Sequence, residues 1–449
     1  MEGKNGTDFV LQEALVGHRG QVLCVAAPGA QAGRGLVATG SEDSTVRLWD
    51  LRPPQGPGRT TLCICRCFGG EGVACVEFSP VDSDRLFCAA GGQVLEFDLR
   101  MGARGLLLTE PKGIFNTGEE EVNQLSLHPK SGEYLAVADD SGEVRVYHTA
   151  TRARHKILRH IHTNICNTVQ FRPSSSWDLA SGGLDSTLVF WDFSSGHVRS
   201  VADLTASPVR GTASASTATP SQLLNPPFVN SLSFTRDGGH LAAALGDATV
   251  AVFDPRERRI LGRCSGHRAP VAQQVHFSVF DPEVLVSTGN DCRMLIWDRQ
   301  TFTIETPPSL DSAEAPAAGN PPGVANNSMA TTAAQPACKS LGSGKRTGQH
   351  KKKKKRGAPG GNPSGVRSEG EDGGLGQGLG LGAGGDTGAG AGARGGGTEP
   401  GGVVEWKSPL AVVDLGDKPN WVTSCLSPCE CLLLADTSNS VKVLRPARS

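Results

Sequence analysis

Short runs in which apolar and polar residues alternate recur along most of this 449-residue chain. One kind of run opens each unit: Val22-Leu23-Cys24-Val25, Val73-Ala74-Cys75-Val76-Glu77-Phe78, Val122-Asn123-Gln124-Leu125-Ser126-Leu127 and Val229-Asn230-Ser231-Leu232-Ser233-Phe234. A turn follows, such as Ser79-Pro80, His128-Pro129-Lys130-Ser131-Gly132 or Thr235-Arg236-Asp237-Gly238-Gly239. A second run is built of small apolar residues, as in Leu135-Ala136-Val137-Ala138 or Leu241-Ala242-Ala243-Ala244. A polar turn then leads to a third run, such as Glu143-Val144-Arg145-Val146-Tyr147. Alternation with a period of two, in short segments bounded by turn residues, predicts β-strands, and their even spacing predicts an all-β molecule. Small residues in the second run predict close sheet-on-sheet packing.

The third run ends in an aromatic residue. Trp49, Phe97, Tyr147, Trp191, Phe253 and Trp297 occupy that slot, about 44 to 62 residues apart, which fits a four-stranded repeat of ~40–45 residues with variable loops. The fullest phrase is Leu36-Val37-Ala38-Thr39-Gly40-Ser41-Glu42-Asp43-Ser44-Thr45-Val46-Arg47-Leu48-Trp49-Asp50, and close versions end at Trp191-Asp192 and Trp297-Asp298. A repeat of this kind buries its apolar faces only by stacking on its neighbours. Six units end by Asp298. A seventh is predicted from Asn420–Pro428, Cys431–Asp436 and Ser440–Leu444, with Leu444 in the aromatic slot. Its outermost strand is expected from Phe9–Leu15, at the other end of the chain, which would remove the open edges of a linear array.

The chain therefore divides into residues 1–306, blades one to six with the N-terminal closing strand; residues 307–402, an insertion; and residues 403–449, the seventh blade. The insertion is rich in Gly, Ala, Pro, Ser and Thr and nearly lacks large apolar residues, so it is predicted to be disordered. Ala206–Ser221 reads as a second, shorter surface insertion.

Charge narrows the picture by exclusion. Lys and Arg number 44 and Asp and Glu 45, a net charge of -1, which gives no global drive toward nucleic acid or membrane. The opening residues Met1–Gly6 are polar with no apolar stretch behind them, so a reducing compartment is expected, with the 13 cysteines as free thiols. No cofactor, metal, small-molecule substrate or membrane contact is expected. Cys63, Cys65 and Cys67 alternate along one strand without the paired spacing of a zinc site. Leu341–Thr347 lacks the strand and glycine placement of a phosphate loop.

Three sets of residues could carry chemistry. His18/Thr39/Asp43/Trp49, His162/Ser181/Asp185/Trp191 and His267/Ser287/Asp291/Trp297 each join a hydroxyl, a histidine and a carboxylate, the ingredients of a hydrolase. Their recurrence at the repeat spacing argues instead for a structural part of each unit, since one nucleophilic site needs one triad. Units without the full set are expected to rely on apolar packing and to be the looser part of the ring. Lys345-Arg346 and Lys351-Lys352-Lys353-Lys354-Lys355-Arg356 form a basic run in the insertion that suits an import receptor, giving nucleus and cytoplasm as the expected location. Trp49-Asp50-Leu51-Arg52 and Phe97-Asp98-Leu99-Arg100 place arginines at one position of consecutive units, where they can form bidentate bonds to a partner.

These phrases make the chain resemble the WD-repeat β-propellers, and Glu119–Leu127, Ala138–Gly142, Asn164–Cys166, Val169–Pro173, Gln222–Pro226 and Asn420-Trp421 reinforce the likeness. The resemblance implies a seven-bladed, non-enzymatic propeller that scaffolds protein contacts. It also implies that each His–Ser/Thr–Asp–Trp set is a hydrogen-bond chain locking its blade. Some proteins with the W-D-x-R pattern are substrate receptors of the cullin-4 ubiquitin ligase, so the resemblance further implies that Asp50, Arg52, Asp98 and Arg100 dock its adaptor. A nuclear scaffold or peptide reader unrelated to ubiquitin is the alternative.

Overall fold

The computed structural model describes residues 9–29, 35–52, 61–66, 69–101, 107–205, 225–269, 272–302, 404–406, 409–426 and 430–447. The two expected insertions and the basic run Lys345–Arg356 lie outside them.

Seven antiparallel sheets follow one another, each the blade of a propeller. Blade one has four antiparallel strands at Val22–Ala26, Leu36–Ser41, Val46–Asp50 and Thr61–Cys65, in spatial order from the axis outward, with the short Leu107–Leu108 added in parallel at its outer edge. Blades two to five repeat this plan from inner strands Val73–Phe78, Val122–Leu127, Cys166–Phe171 and Val229–Phe234. Blade six begins at Ala272–Phe277 and blade seven at Pro419–Cys425. The inner strand of each blade packs on that of the next, and Pro419–Cys425 packs on Val22–Ala26, so the ring is closed. Phe9–Val16 forms the outer strand of blade seven, antiparallel to Ser440–Pro446, with Leu11 opposite Leu444. The predicted clasp of the two ends is thus present.

The apolar core is divided among the interfaces between blades. Seven separate clusters of buried residues correspond to the seven blade–blade contacts; Trp49, for example, lies in the cluster between blades seven and one. The small residues of the second strands allow this spacing. A Cβ on Gly40 would lie 2.7 Å from Val73 Cγ1, and one on Gly182 would lie 2.2 Å from Val229 Cγ1, so the next blade's leading valine sits where a side chain would otherwise be.

All seven inner strands carry a bulge at their second residue. In four of them that residue is asparagine. Asn123, Asn167, Asn230 and Asn420 donate their Nδ2 amides to the backbone carbonyls of Cys166, Asn230, Ala272 and Val22, each in the following blade, at 2.9–3.1 Å. The Asn420 bond ties the last blade to the first.

The segment 403–449 holds more than the expected seventh blade. Ala411–Asp414 is the outer strand of blade six, pairing with Arg293–Asp298. Val404–Trp406 adds a parallel fifth strand to blade five. The long insertion therefore interrupts blade six between its third and fourth strands. The rings of Phe302 and Trp406, on either side of it, pack tilted against each other with centroids 4.9 Å apart.

Candidate functional site

Antiparallel order sends successive turns to opposite faces of the ring. The segments entering each inner strand and the turns between second and third strands share one face, here called upper. The remaining turns share the lower face.

The three polar sets lie beneath the upper face. In blade one, the Trp49 indole N–H donates to Thr39 Oγ1 at 2.9 Å, Thr39 meets His18 Nε2 at 2.7 Å, and His18 Nδ1 meets Asp43 Oδ2 at 3.0 Å. Trp191–Ser181–His162–Asp185 repeats the chain at 2.8, 2.8 and 3.2 Å. Trp297–Ser287–His267–Asp291 repeats it at 2.9, 2.9 and 3.0 Å. Burial lowers the pKa of His18 and His267, outweighing the aspartates beside them, so both rings favour the neutral form. Burial alone would raise Asp185, but hydrogen bonds from His162, Thr187 and the Thr163 amide hold it down to about 2. Thr39, Ser181 and Ser287 are fully buried and already accept an indole N–H. Such hydroxyls are closed to a substrate, so the arrangement serves as a lock and not as a nucleophile.

The other blades are not held by apolar packing alone. In blades three and seven a fully buried aspartate ends the second strand, Asp139 or Asp436, and a basic residue from the third strand reaches it. Arg145 pairs with Asp139, and Lys442 Nζ lies 2.7 Å from Asp436 Oδ2. In blade five the buried Arg263 reaches Asp247 at 2.9 Å and the Leu204 carbonyl at 3.1 Å. Blade three also keeps a polar link at its aromatic slot, where Tyr147 Oη donates to the Asn116 carbonyl at 3.2 Å. The signal was legible only in part. A charged residue near the start of a third strand reads as solvent-facing alternation until the buried aspartate beside it is known.

On the lower face, the paired arginines fold back on their own aspartates. Arg52 Nε and Nη2 meet Asp50 at 2.9 and 2.5 Å, and Arg100 Nε and Nη2 meet Asp98 at 2.8 and 2.7 Å. The backbone amides of both arginines bond the same carboxylates at 2.9 and 3.1 Å. The two arginine side chains remain 50% and 57% exposed. The hydrogen bonds from Arg100, aided by Lys112, hold Asp98 well below the usual carboxylate range despite desolvation. Arg256, at the matching place in blade five, bonds Asp254 through its backbone amide at 2.8 Å.

Between the faces runs a channel with a cavity of about 330 Å³, lined by inner-strand residues that include Glu77, Gln124, Ser231, His276 and Thr423. Among the described residues, no group of three or more His, Cys, Asp or Glu side chains is placed to hold a metal. Cys65 is buried, and Cys67 lies outside the described residues. No described helix is long and apolar enough to cross a membrane.

The family model described as "WD domain, G-beta repeat" matches residues 9–50 and 155–192, which contain the locks of blades one and four. A WD repeat-containing protein 53 homolog from Dictyostelium discoideum is 30% identical over 301 residues, spanning 64% of this chain and 78% of that protein. The chain belongs to the WD-repeat β-propeller family. WD repeat-containing protein VIP3 from Arabidopsis thaliana is 31% identical over 173 residues, 38% of this chain and 51% of that protein. Protein transport protein SEC31 from Eremothecium gossypii is 38% identical over 69 residues, only 15% of this chain and 6% of that protein. As in a WD-repeat propeller generally, the polar chemistry here is spent on holding blades, which leaves the two faces and the rim for contacts with other proteins.

Proposed function

We propose that this propeller is a protein-docking platform acting as a substrate receptor of a cullin-4 ubiquitin ligase, with Arg52 and Arg100 engaging the ligase adaptor. The observation that carries this reading is the repetition of one clamp in adjacent blades. In each, aspartate fixes the guanidinium by two bonds while half of the side chain stays in solvent. A preorganised arginine loses little side-chain entropy when a partner's carboxylate or carbonyl meets it. The basic run Lys351–Arg356 fits the same reading by offering an import receptor a compact cationic segment.

Affinity purification from cells tests the proposal. The wild type should bring down the adaptor and cullin-4, and Arg52→Ala/Arg100→Ala should lose both while keeping its melting temperature. If the adaptor never appears, or appears equally with the double variant, the ligase role is wrong and a scaffold unrelated to ubiquitin replaces it.

A further inference from the structure

The lower face carries a second feature, between blades three and four. Trp177, in the turn between the first two strands of blade four, is 42% exposed. Its ring lies 5.3 Å from Phe193 and 6.2 Å from Tyr134. His155, exposed on the outer strand of blade three, lies 5.0 Å from Tyr134. All three rings rest against Phe193, which is fully buried. An indole, a phenol and an imidazole thus form one continuous surface over an apolar floor.

The turn that presents Trp177 is held from several sides. The Trp177 carbonyl accepts the Phe193 amide at 3.1 Å. Lys130 Nζ donates to the Ser174 carbonyl at 3.2 Å, and Arg172 Nε donates to the Gly238 carbonyl at 3.0 Å. Lys130 and Lys156 border the aromatic surface. The charge of Lys156 is felt at His155, and a Cβ on Gly196 of blade four would lie 3.8 Å from its Cδ. Neither lysine has a carboxylate partner among the described residues. The nearby Asp178 and Asp192 are both taken by Arg199, at 3.1 and 3.0 Å.

We propose that this patch docks an acidic peptide segment of a partner protein. An aromatic or large aliphatic residue of the partner lies on the Trp177 indole, and flanking carboxylates reach Lys130 and Lys156. Exposed, rigidly held tryptophan and tyrosine carry a disproportionate share of interface energy, and the two lysines, which have no carboxylate partner among the described residues, set the sign of what can bind. The site stands apart from Arg52 and Arg100 and does not depend on their role.

The probe is a random glutamate–tyrosine copolymer, fluorescently labelled and titrated with the full chain. The wild type should bind it saturably and better than polyglutamate. Trp177→Ala should weaken binding about tenfold or more. Lys130→Glu/Lys156→Glu should abolish it and reverse preference toward a lysine–tyrosine copolymer. Unchanged melting temperatures show that the variants are folded, and Arg52→Ala/Arg100→Ala should bind like wild type. Equal affinity of wild type and Trp177→Ala, equal binding of both copolymers by the wild type, or binding of single-stranded RNA in place of the acidic copolymer would each overturn the proposal.

Discussion

At the scale of single residues, the molecule depends on polar groups that have no contact with solvent. Ser181 accepts the Trp191 indole N–H and meets His162 Nε2, both in a dry site. Ser181→Ala leaves two buried groups unpaired and should cost about 1–3 kcal/mol in urea unfolding. Ser181→Thr should keep most of the stability, because blade one runs the same chain through Thr39. The buried ion pairs should be more severe. Lys442→Met strands the fully buried Asp436 and should cost about 3–5 kcal/mol, whereas Lys442→Met/Asp436→Leu should recover much of the loss, because two apolar groups leave no charge undischarged. Equal stability of the single and double variants would show that the pair is not what holds blade seven. The thiols make a contrasting case. Burial pushes Cys24 and Cys166 up to about 12, so these cysteines serve as small apolar residues with little reactive thiolate.

At the scale of elements, closure rests on pieces distant in sequence. Phe9–Val16 covers the edge of Ser440–Pro446, and Asn420 ties blade seven to the Val22 carbonyl. Deleting residues 9–16 should expose that edge, broaden the thermal transition and promote aggregation, which light scattering during melting would record. A deletion variant that stays monomeric with a sharp transition would show the clasp to be dispensable. This clasp was readable in the sequence, as were the inner strands of blades one, two, three, five and seven and the three complete locks, because each repeats a pattern with a fixed period. The outer strand of blade six was not. Ala411–Asp414 is four residues long and separated from Asp298 by the insertion, so no local period marks it. Val404–Trp406 is shorter still, and its place follows from tertiary contact with Phe302. The Asp139–Arg145 and Asp436–Lys442 locks escaped for a different reason. Their basic residues satisfy strand alternation equally well on a wet or a dry face, so pattern alone cannot assign the side. The aromatic patch around Trp177 likewise gathers residues from two blades that share no motif.

At the scale of the whole molecule, acid should act in a definite order. Burial lowers the pKa of His18, His128, His155, His240 and His267 from 6.5, and takes His276, on the channel wall, down to about 4. Below pH 6.5 the unfolded chain therefore binds protons that the folded ring refuses, so stability is full above 6.5 and falls as the pH drops toward about 4. The lock carboxylates follow later. Asp185, held at about 2 against an ordinary 3.8, withdraws its contribution only as the pH passes down through that lower range. One group in the same channel has the opposite sign. Desolvation raises Glu77 from 4.5 to about 8, so the folded state holds a proton there that the unfolded chain has released. Its contribution is greatest below pH 4.5 and is lost progressively up to about 8. Glu77→Gln removes that dependence without removing volume. The variant should melt at a higher temperature than wild type above neutral pH and lose that advantage near pH 4.5. Melting curves across this range decide the matter. A constant offset between the two proteins at every pH would mean that Glu77 carries the same charge folded and unfolded, and that the channel wall around it is as wet as bulk solvent.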